Sequence, residues 1–350
     1  MMIFRRRSAA AVVLMLVGGI LSAPPASAAG PSYVALGDSY SSGTGTRAYL
    51  VDGSSCQRSV YAYPSLVASA RGYVLNLRAC SGATIADVAA TQLGALTPTT
   101  AYVSLSVGGN DAAFVDVLTE CAKPAWMSDC TAAIDRAQAV ITSRLPAGLS
   151  SLYRQIRTRA PQARVAVAGY PRIFNGEDCN AATWFSPAEE VRLNATADLL
   201  NHTTATAAAA AGFTFRAPAF TGHAVCDDVE WVNGLSNPVS DSYHPNRAGH
   251  ASGYVPLMGS SLTGSPVGVT PGTVQAAELS APALARQQAA HAVQDSRIRP
   301  ERFVLPDLKS AAARTAAARA GVDLADPASI DRADRAVEAR QLARQGRPDR

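Results

Sequence analysis

The sequence lacks three short motifs that hold zinc or present a reactive serine in common enzyme classes. Its 350 residues contain no Cys-x-x-Cys, no His-Glu-x-x-His and no Gly-x-Ser-x-Gly. The first two absences argue against a zinc-binding domain and a zinc protease. The third argues against the strand-to-helix turn that carries the serine of the α/β-hydrolase fold. We therefore expect no bound metal.

A dinucleotide-binding fingerprint is imitated but not completed. Gly43-x-Gly45-x-x-Ala48 has the glycine spacing of such a fingerprint. The following residues, 49–53, do not continue as a helix that leads to an acid-tipped strand. We therefore expect no nucleotide cofactor.

The chain also lacks a strong charge of one sign. Its net charge of +4 is the sum of +3 from residues 1–29, −2 from residues 30–265 and +3 from residues 266–350. The large middle segment is thus mildly acidic. A nucleic-acid-binding domain normally carries a basic face, so no nucleic-acid partner is expected.

The only long apolar run stands at the N-terminus. Three arginines at positions 5–7 precede an apolar run over residues 9–21, and small residues at 26–28 follow it. This order is typical of a secretory signal peptide, which we assign to residues 1–29. An uncleaved membrane anchor is the alternative, but the run is short for a bilayer core of about 30 Å. We expect a secreted, extracellular protein.

The six cysteines form an even set in a chain predicted to reach an oxidising compartment. Six cysteines allow 15 pairings, and zinc binding is the competing interpretation. The absence of a Cys-x-x-Cys pair argues against zinc. Pairing within local loops predicts three disulfides: Cys56–Cys80, Cys121–Cys130 and Cys179–Cys226.

Short apolar segments alternate with longer helical patterns between residues 33 and 215. This alternation predicts a parallel sheet with helices on both faces, an α/β three-layer sandwich. The predicted strands are Tyr33–Gly37, Tyr73–Leu77, Ala101–Val107, Arg164–Gly169 and Phe213–Phe215. The predicted helices are Tyr61–Ala70, Thr84–Leu93, Thr131–Ala160 and Pro187–Ala211.

Four loops at the carboxyl ends of this sheet hold the candidate chemical groups. Ligands bind at that edge in open parallel sheets. Each loop alone reads as an ordinary turn or helix cap. Together they supply a hydroxyl, an unobstructed backbone N–H, a side-chain amide and an imidazole with a nearby carboxylate, which acyl transfer requires. The loops are Gly37-Asp38-Ser39-Tyr40, Ser81-Gly82, Gly108-Gly109-Asn110-Asp111 and Asp241-Ser242-Tyr243-His244-Pro245.

These four blocks resemble those of the SGNH (GDSL-type) hydrolases, in order and in register. The resemblance spans about residues 33–257 and is closest to the secreted actinobacterial lipase, esterase and phospholipase branch. It implies a flavodoxin-like sheet with Ser39 as nucleophile and His244 as general base and then acid. It also implies an oxyanion hole made by the N–H groups of Ser39 and Gly82 and the amide of Asn110.

The resemblance leaves the partner of the histidine open. Asp241, three residues before His244, matches the orienting carboxylate that is usual in the family. Several secreted relatives of this branch use instead a main-chain carbonyl just before the histidine. Here that carbonyl would belong to Ser242.

Composition changes at residue 264. We assign residues 30–262 to the catalytic domain, 263–273 to a Pro/Gly/Ser-rich linker and 274–350 to an Ala/Arg-rich extension. Phe303 is the only aromatic residue of this extension. We expect helices or disorder there, with a tether to a cell wall or membrane surface as the alternative.

The combined prediction is a metal-free, monomeric, secreted serine hydrolase of carboxylic esters. Export and the resemblance favour acyl-lipid or other lipophilic substrates and peripheral contact with lipid surfaces. A carbohydrate O-deacylase of the same fold and a non-catalytic exported binding protein are the alternatives. The sequence does not set acyl-chain length or head group.

Overall fold

The computed structural model describes residue 2, residues 30–300 and residues 302–345. The predicted signal peptide, apart from residue 2, lies outside these residues. Within the described part of the chain, no helix is both long and apolar enough to cross a membrane.

The centre of the fold is a five-stranded parallel sheet in the order β2-β1-β3-β4-β5. Buried side chains, most of them apolar, line both faces of its inner strands, as expected where helices cover each face. This confirms the predicted α/β three-layer architecture. The strand order reverses beside β1, so β1 and β3 mark the edge where a ligand site is expected. The strands are β1 Ser32–Gly37, β2 Val74–Leu77, β3 Tyr102–Ser106, β4 Arg164–Ala168 and β5 Thr214–Arg216.

Twelve α-helical segments occur in the described residues, joined by short π and 3-10 turns. The early helices are α1 Ser39–Ser42, α2 Tyr63–Arg71, α3 Ile85–Asp87, α4 Phe114–Cys121, α5 Cys130–Ser143 and α6 Leu145–Arg159. The later ones are α7 Pro187–Ala210, α8 Val255–Thr263, α9 Pro271–Ala289, α10 Ala292–Asp295, α11 Ala311–Ala320 and α12 Pro327–Gln345.

Two helix predictions differ from the structure. The single helix predicted over 131–160 is divided at Arg144, because Pro146 lacks an N–H and instead occupies the first turn of α6. The helix predicted over 84–93 is one α-turn followed by a π turn and a 3-10 turn.

The extension packs against the sheet domain. Helix α9 begins at Pro271, within the segment predicted as a linker, and lies against α2 and β2. The buried apolar residues of the linker and the extension are continuous with the central core. They include Val267, Ala277, Leu284, Ile298 and Phe303.

A buried cluster of charges ties the extension to the domain. Asp295 accepts hydrogen bonds from Arg58 at 2.6 Å and Arg78 at 2.7 Å, and Arg58 also pairs with Asp52 at 2.8 Å. All four side chains are at most 3% exposed. Burial alone would raise the pKa of Asp295, but the two guanidiniums outweigh it and hold the pKa below its ordinary value. Two cations and two anions balance, so the cluster holds no uncompensated charge.

The six cysteines form three disulfides: Cys56–Cys80, Cys121–Cys130 and Cys179–Cys226. These are the pairs that local-loop pairing predicts. The first disulfide joins the segment after α1 to the loop that carries Gly82.

Candidate active site

Ser39 lies where β1 passes directly into the short helix α1. Gly37 ends the strand with φ 116°, and a Cβ there would collide with the backbone of Ser106. Asp38 caps α1 by accepting a hydrogen bond from the N–H of Tyr40. Ser39 is therefore held at the carboxyl edge of the sheet by backbone geometry that only glycine and a capping residue readily provide.

His244 contacts Ser39 directly. Its Nε2 lies 2.9 Å from Ser39 Oγ, and its Nδ1 lies 2.9 Å from the carbonyl oxygen of Ser242. A carbonyl can only accept, so Nδ1 carries the proton and Nε2 is free to accept from the serine hydroxyl. Ser39 is 6% exposed and His244 is 7% exposed. The structure thus brings together two of the residues that the sequence singles out.

Asp241 does not contact His244. The buried Asp241 Oδ1 accepts a hydrogen bond from Tyr49 and lies 3.5 Å from Gln57 Nε2, while Oδ2 has no hydrogen-bond partner among the described residues. Residues Val239–Asp241 form a 3-10 turn and Tyr243 adopts φ 59°. This backbone conformation directs the carbonyl of Ser242 toward the imidazole of His244. Asp241 is therefore not the hydrogen-bond acceptor of the histidine, contrary to the usual family pattern.

The surroundings keep His244 neutral near pH 7. Burial lowers its pKa below the ordinary value of 6.5, while the Ser242 carbonyl and the Asp241 charge oppose the shift. A neutral imidazole is the form that accepts a proton from a serine hydroxyl.

Asp38 forms a buried network that the sequence analysis did not identify. Its carboxylate accepts hydrogen bonds from Ser106 Oγ and Tyr170 Oη, and burial raises its pKa to about 6 although these bonds oppose the shift. The Tyr170 hydroxyl also accepts a bond from the N–H of Gly109. The network joins the segments that follow β1, β3 and β4. Only the capping pattern Asp38-Ser39 signals it in the sequence, because the other partners are distant along the chain.

The predicted oxyanion donors lie in two linked loops. Asn110 Nδ2 donates to the carbonyl of Ala83 at 2.9 Å, which ties the loop after β3 to the one that contains Gly82. The amide nitrogen carries two hydrogens, so a second donor is available. Asn110 lines the same cavity as Ser39 and His244.

Gly82 is covered by the extension. It is buried, with φ 84°, and a Cβ on it would collide with the carbonyl oxygen of Arg299 and with Pro300. The extension thus lies on the side of Gly82 where a Cβ would stand, and the role of the Gly82 N–H as an oxyanion donor stays a prediction. Asn110 lines the cavity directly.

The cavity above Ser39 and His244 is largely apolar. Its walls come from helices α4, α5 and α7, from the segment after β4 and from the extension. No cluster of three metal-ligating side chains occurs among residues 30–300 and 302–345. The large apolar lining residues are Phe114, Val115, Leu118, Ile141, Ile173, Leu200 and Phe303.

The profile of the GDSL-like lipase/acylhydrolase family matches residues 35–252. The chain belongs to this family. A lipase from Streptomyces rimosus is 44% identical over 232 residues, covering 65% of this chain and 85% of the relative. Lipase 1 from Streptomyces coelicolor is 41% identical over 242 residues, covering 68% of this chain and 88% of the relative.

Two solved structures share the fold. The extracellular lipase of Streptomyces rimosus is 42% identical with a TM-score of 0.62, covering 66% of this chain and 99% of that one. The phospholipase A1 of Streptomyces albidoflavus is 40% identical with a TM-score of 0.62, covering 67% and 100%. These relationships make the protein a carboxylic ester hydrolase. About a third of this chain has no counterpart in either structure.

Proposed function

We propose that this GDSL-family enzyme is a secreted lipase or esterase that cleaves acyl esters through an acyl-enzyme on Ser39. The 2.9 Å contact between His244 Nε2 and Ser39 Oγ, at the base of an apolar cavity, carries the proposal. The apolar walls suit the hydrocarbon chain of a lipophilic ester rather than a sugar.

In the first half-reaction, Ser39 Oγ attacks the ester carbonyl carbon while its proton passes to His244 Nε2. The imidazolium that forms keeps its Nδ1–H on the Ser242 carbonyl, which fixes the ring and stabilises its charge. The tetrahedral oxyanion accepts hydrogen bonds from the Asn110 amide and from the N–H groups of Ser39 and Gly82. His244 then protonates the leaving alcohol oxygen as the C–O bond breaks.

The second half-reaction repeats this path with water as nucleophile. His244 Nε2 accepts a proton from water as the water oxygen attacks the acyl carbon. It then returns a proton to Ser39 Oγ as the carboxylic acid leaves. In this proposal Asp241 acts only through its charge, and the Ser39–His244 pair is a dyad.

Secretion is part of the proposal. The N-terminal pattern of residues 1–29 and the three disulfides both suit an exported protein. The Streptomyces rimosus relative is described as extracellular. Sequencing the N-terminus of protein from culture medium tests this, and a protein found only inside cells contradicts it.

Labelling with a fluorophosphonate tests the nucleophile. The wild-type enzyme should gain one phosphonyl group on the peptide that contains Ser39, and Ser39→Ala should gain none. Ser39→Ala should also lose p-nitrophenyl ester hydrolysis by several orders of magnitude. If it retains more than about a tenth of the activity, Ser39 is not the nucleophile.

A further inference from the structure

A short part of the extension lies beside the active site and supplies part of its cavity wall. We call residues 298–300 and 302–304 the strap. Arg299 and Pro300 lie against Gly82, and Phe303 lines the cavity together with Ser39 and His244. Phe303 is only 5% exposed, and its ring packs edge-to-face on Tyr243 at 4.9 Å between centroids.

The strap is fixed by contacts at both of its ends. On the upstream side, Asp295 is held by the fully buried guanidiniums of Arg58 and Arg78. On the downstream side, the N–H of Val304 donates to Thr119 Oγ1 in α4 at 3.1 Å. Farther along, Asp334 accepts a hydrogen bond from the N–H of Ala125.

The backbone next to Phe303 contacts helix α4, which supplies another wall of the cavity. Leu118, beside Thr119 in α4, lines the cavity with Phe114 and Val115. The ring of Phe303 packs on Tyr243, the neighbour of the histidine, and lines the same cavity as the apolar side chains of α4. An acyl chain that leaves Ser39 along these walls meets Phe303.

We propose that Phe303 is a specificity-determining residue that closes the acyl cavity and limits the length of the acyl chain. The inference rests on the proposed function of Ser39. Substrate reaches the serine with the strap in place, because Ser39 and His244 keep some exposure and the cavity extends to both. The buried anchors make the strap a fixed wall rather than a plug that must leave.

Chain-length preference tests the proposal. Full-length wild type, Phe303→Ala and Phe303→Trp are compared on p-nitrophenyl acetate, butyrate, octanoate and laurate. Phe303→Ala should raise the laurate-to-butyrate ratio of kcat/KM by about tenfold or more, since one methylene in an apolar pocket changes discrimination by about that factor. Phe303→Trp should lower the ratio. Leu284→Ala, a buried change in the same extension outside the cavity, should leave the ratio unchanged.

The outcomes separate the two proposals. Absence of a Ser39 fluorophosphonate adduct in wild type contradicts the proposed function itself. A normal adduct with an unchanged ratio in both Phe303 variants overturns the inference. An equal increase of kcat/KM on every ester in Phe303→Ala also overturns it, because the ring would then obstruct access to Ser39 without discriminating between acyl-chain lengths. If Phe303→Ala does not fold, Phe303→Leu and Phe303→Trp provide the same comparison. A higher laurate-to-butyrate ratio in Phe303→Leu and a lower one in Phe303→Trp support the role of Phe303 in limiting chain length.

Discussion

The residues of the proposed chemistry all lie within 35–252, the part matched by the family profile, whereas one wall of their cavity comes from the extension. The first part is held by a parallel sheet whose loops converge at one edge. The second contains no strand in its described residues, and it docks through a few large apolar side chains and Asp295. A region of weak hydrophobic pattern can therefore contribute to a site when a few anchors fix it.

The largest expected effect comes from removing the base in the family-matched part. His244→Ala should lower kcat/KM for p-nitrophenyl butyrate by several orders of magnitude, because no other group among the described residues contacts Ser39 Oγ as a base. Circular dichroism and thermal melting should stay close to wild type. Activity within tenfold of wild type would remove the histidine from the mechanism.

The next effect concerns the anchor of the extension. Asp295→Ala leaves the guanidiniums of Arg58 and Arg78 without a shared partner, and breaking such a buried pair costs about 3–5 kcal/mol. Urea unfolding measures the loss. Asp135→Ala is the control, because its pair with Arg192 is at the surface and should change stability much less. Equal losses in both variants would show that the buried cluster does not hold the extension.

A smaller effect separates the two candidate partners of the histidine. Asp241→Asn keeps an acceptor for Tyr49 and should change kcat by less than about threefold, since His244 bonds to the Ser242 carbonyl. Loss of a true triad carboxylate costs on the order of 10⁴ in another enzyme. A loss near that size would make Asp241 the orienting group.

The smallest effect is a shift in the pH profile. Neutral His244 is the active form and burial lowers its pKa, so kcat/KM should rise with pH through a midpoint below 6.5. Asp241→Asn removes a charge that raises this pKa, so the midpoint should move lower still. If the midpoint stays near 6 in the variant, the rise of activity with pH reports the ionisation of Asp38, whose pKa is about 6, rather than that of His244.

The sequence predicts the sheet from local patterns, and it predicts the Ser39–His244 contact, which spans 205 residues, from the resemblance of four loop motifs to the SGNH hydrolases. Strands and their loops follow from alternating apolar runs, and parallel strands bring their carboxyl ends together. The partner of His244 could not be decided in this way. Asp241 and Ser242 both stand close before it, and only the turn at Tyr243 selects the carbonyl.

The parts that the sequence did not predict depend on long-range contacts. Tyr49 binds Asp241 across 192 residues, and Asp295 binds Arg78 across 217. Phe303 stands in an Ala/Arg-rich segment with no periodic signal for a pocket wall. The domain boundary at residue 262 remains a prediction, and the packing of α9 on α2 and β2 makes the extension a structural neighbour of the site.

A crystal structure of the enzyme phosphonylated by a long-chain alkyl fluorophosphonate tests the whole account most directly. We predict phosphorus bonded to Ser39 Oγ, a phosphoryl oxygen within hydrogen-bond distance of Asn110 Nδ2, and the alkyl chain in contact with Phe303. Phosphorus on another residue would contradict the proposed chemistry. An alkyl chain that does not contact Phe303, or a strap displaced from Gly82, would contradict the inference that the extension forms a fixed wall of the acyl cavity.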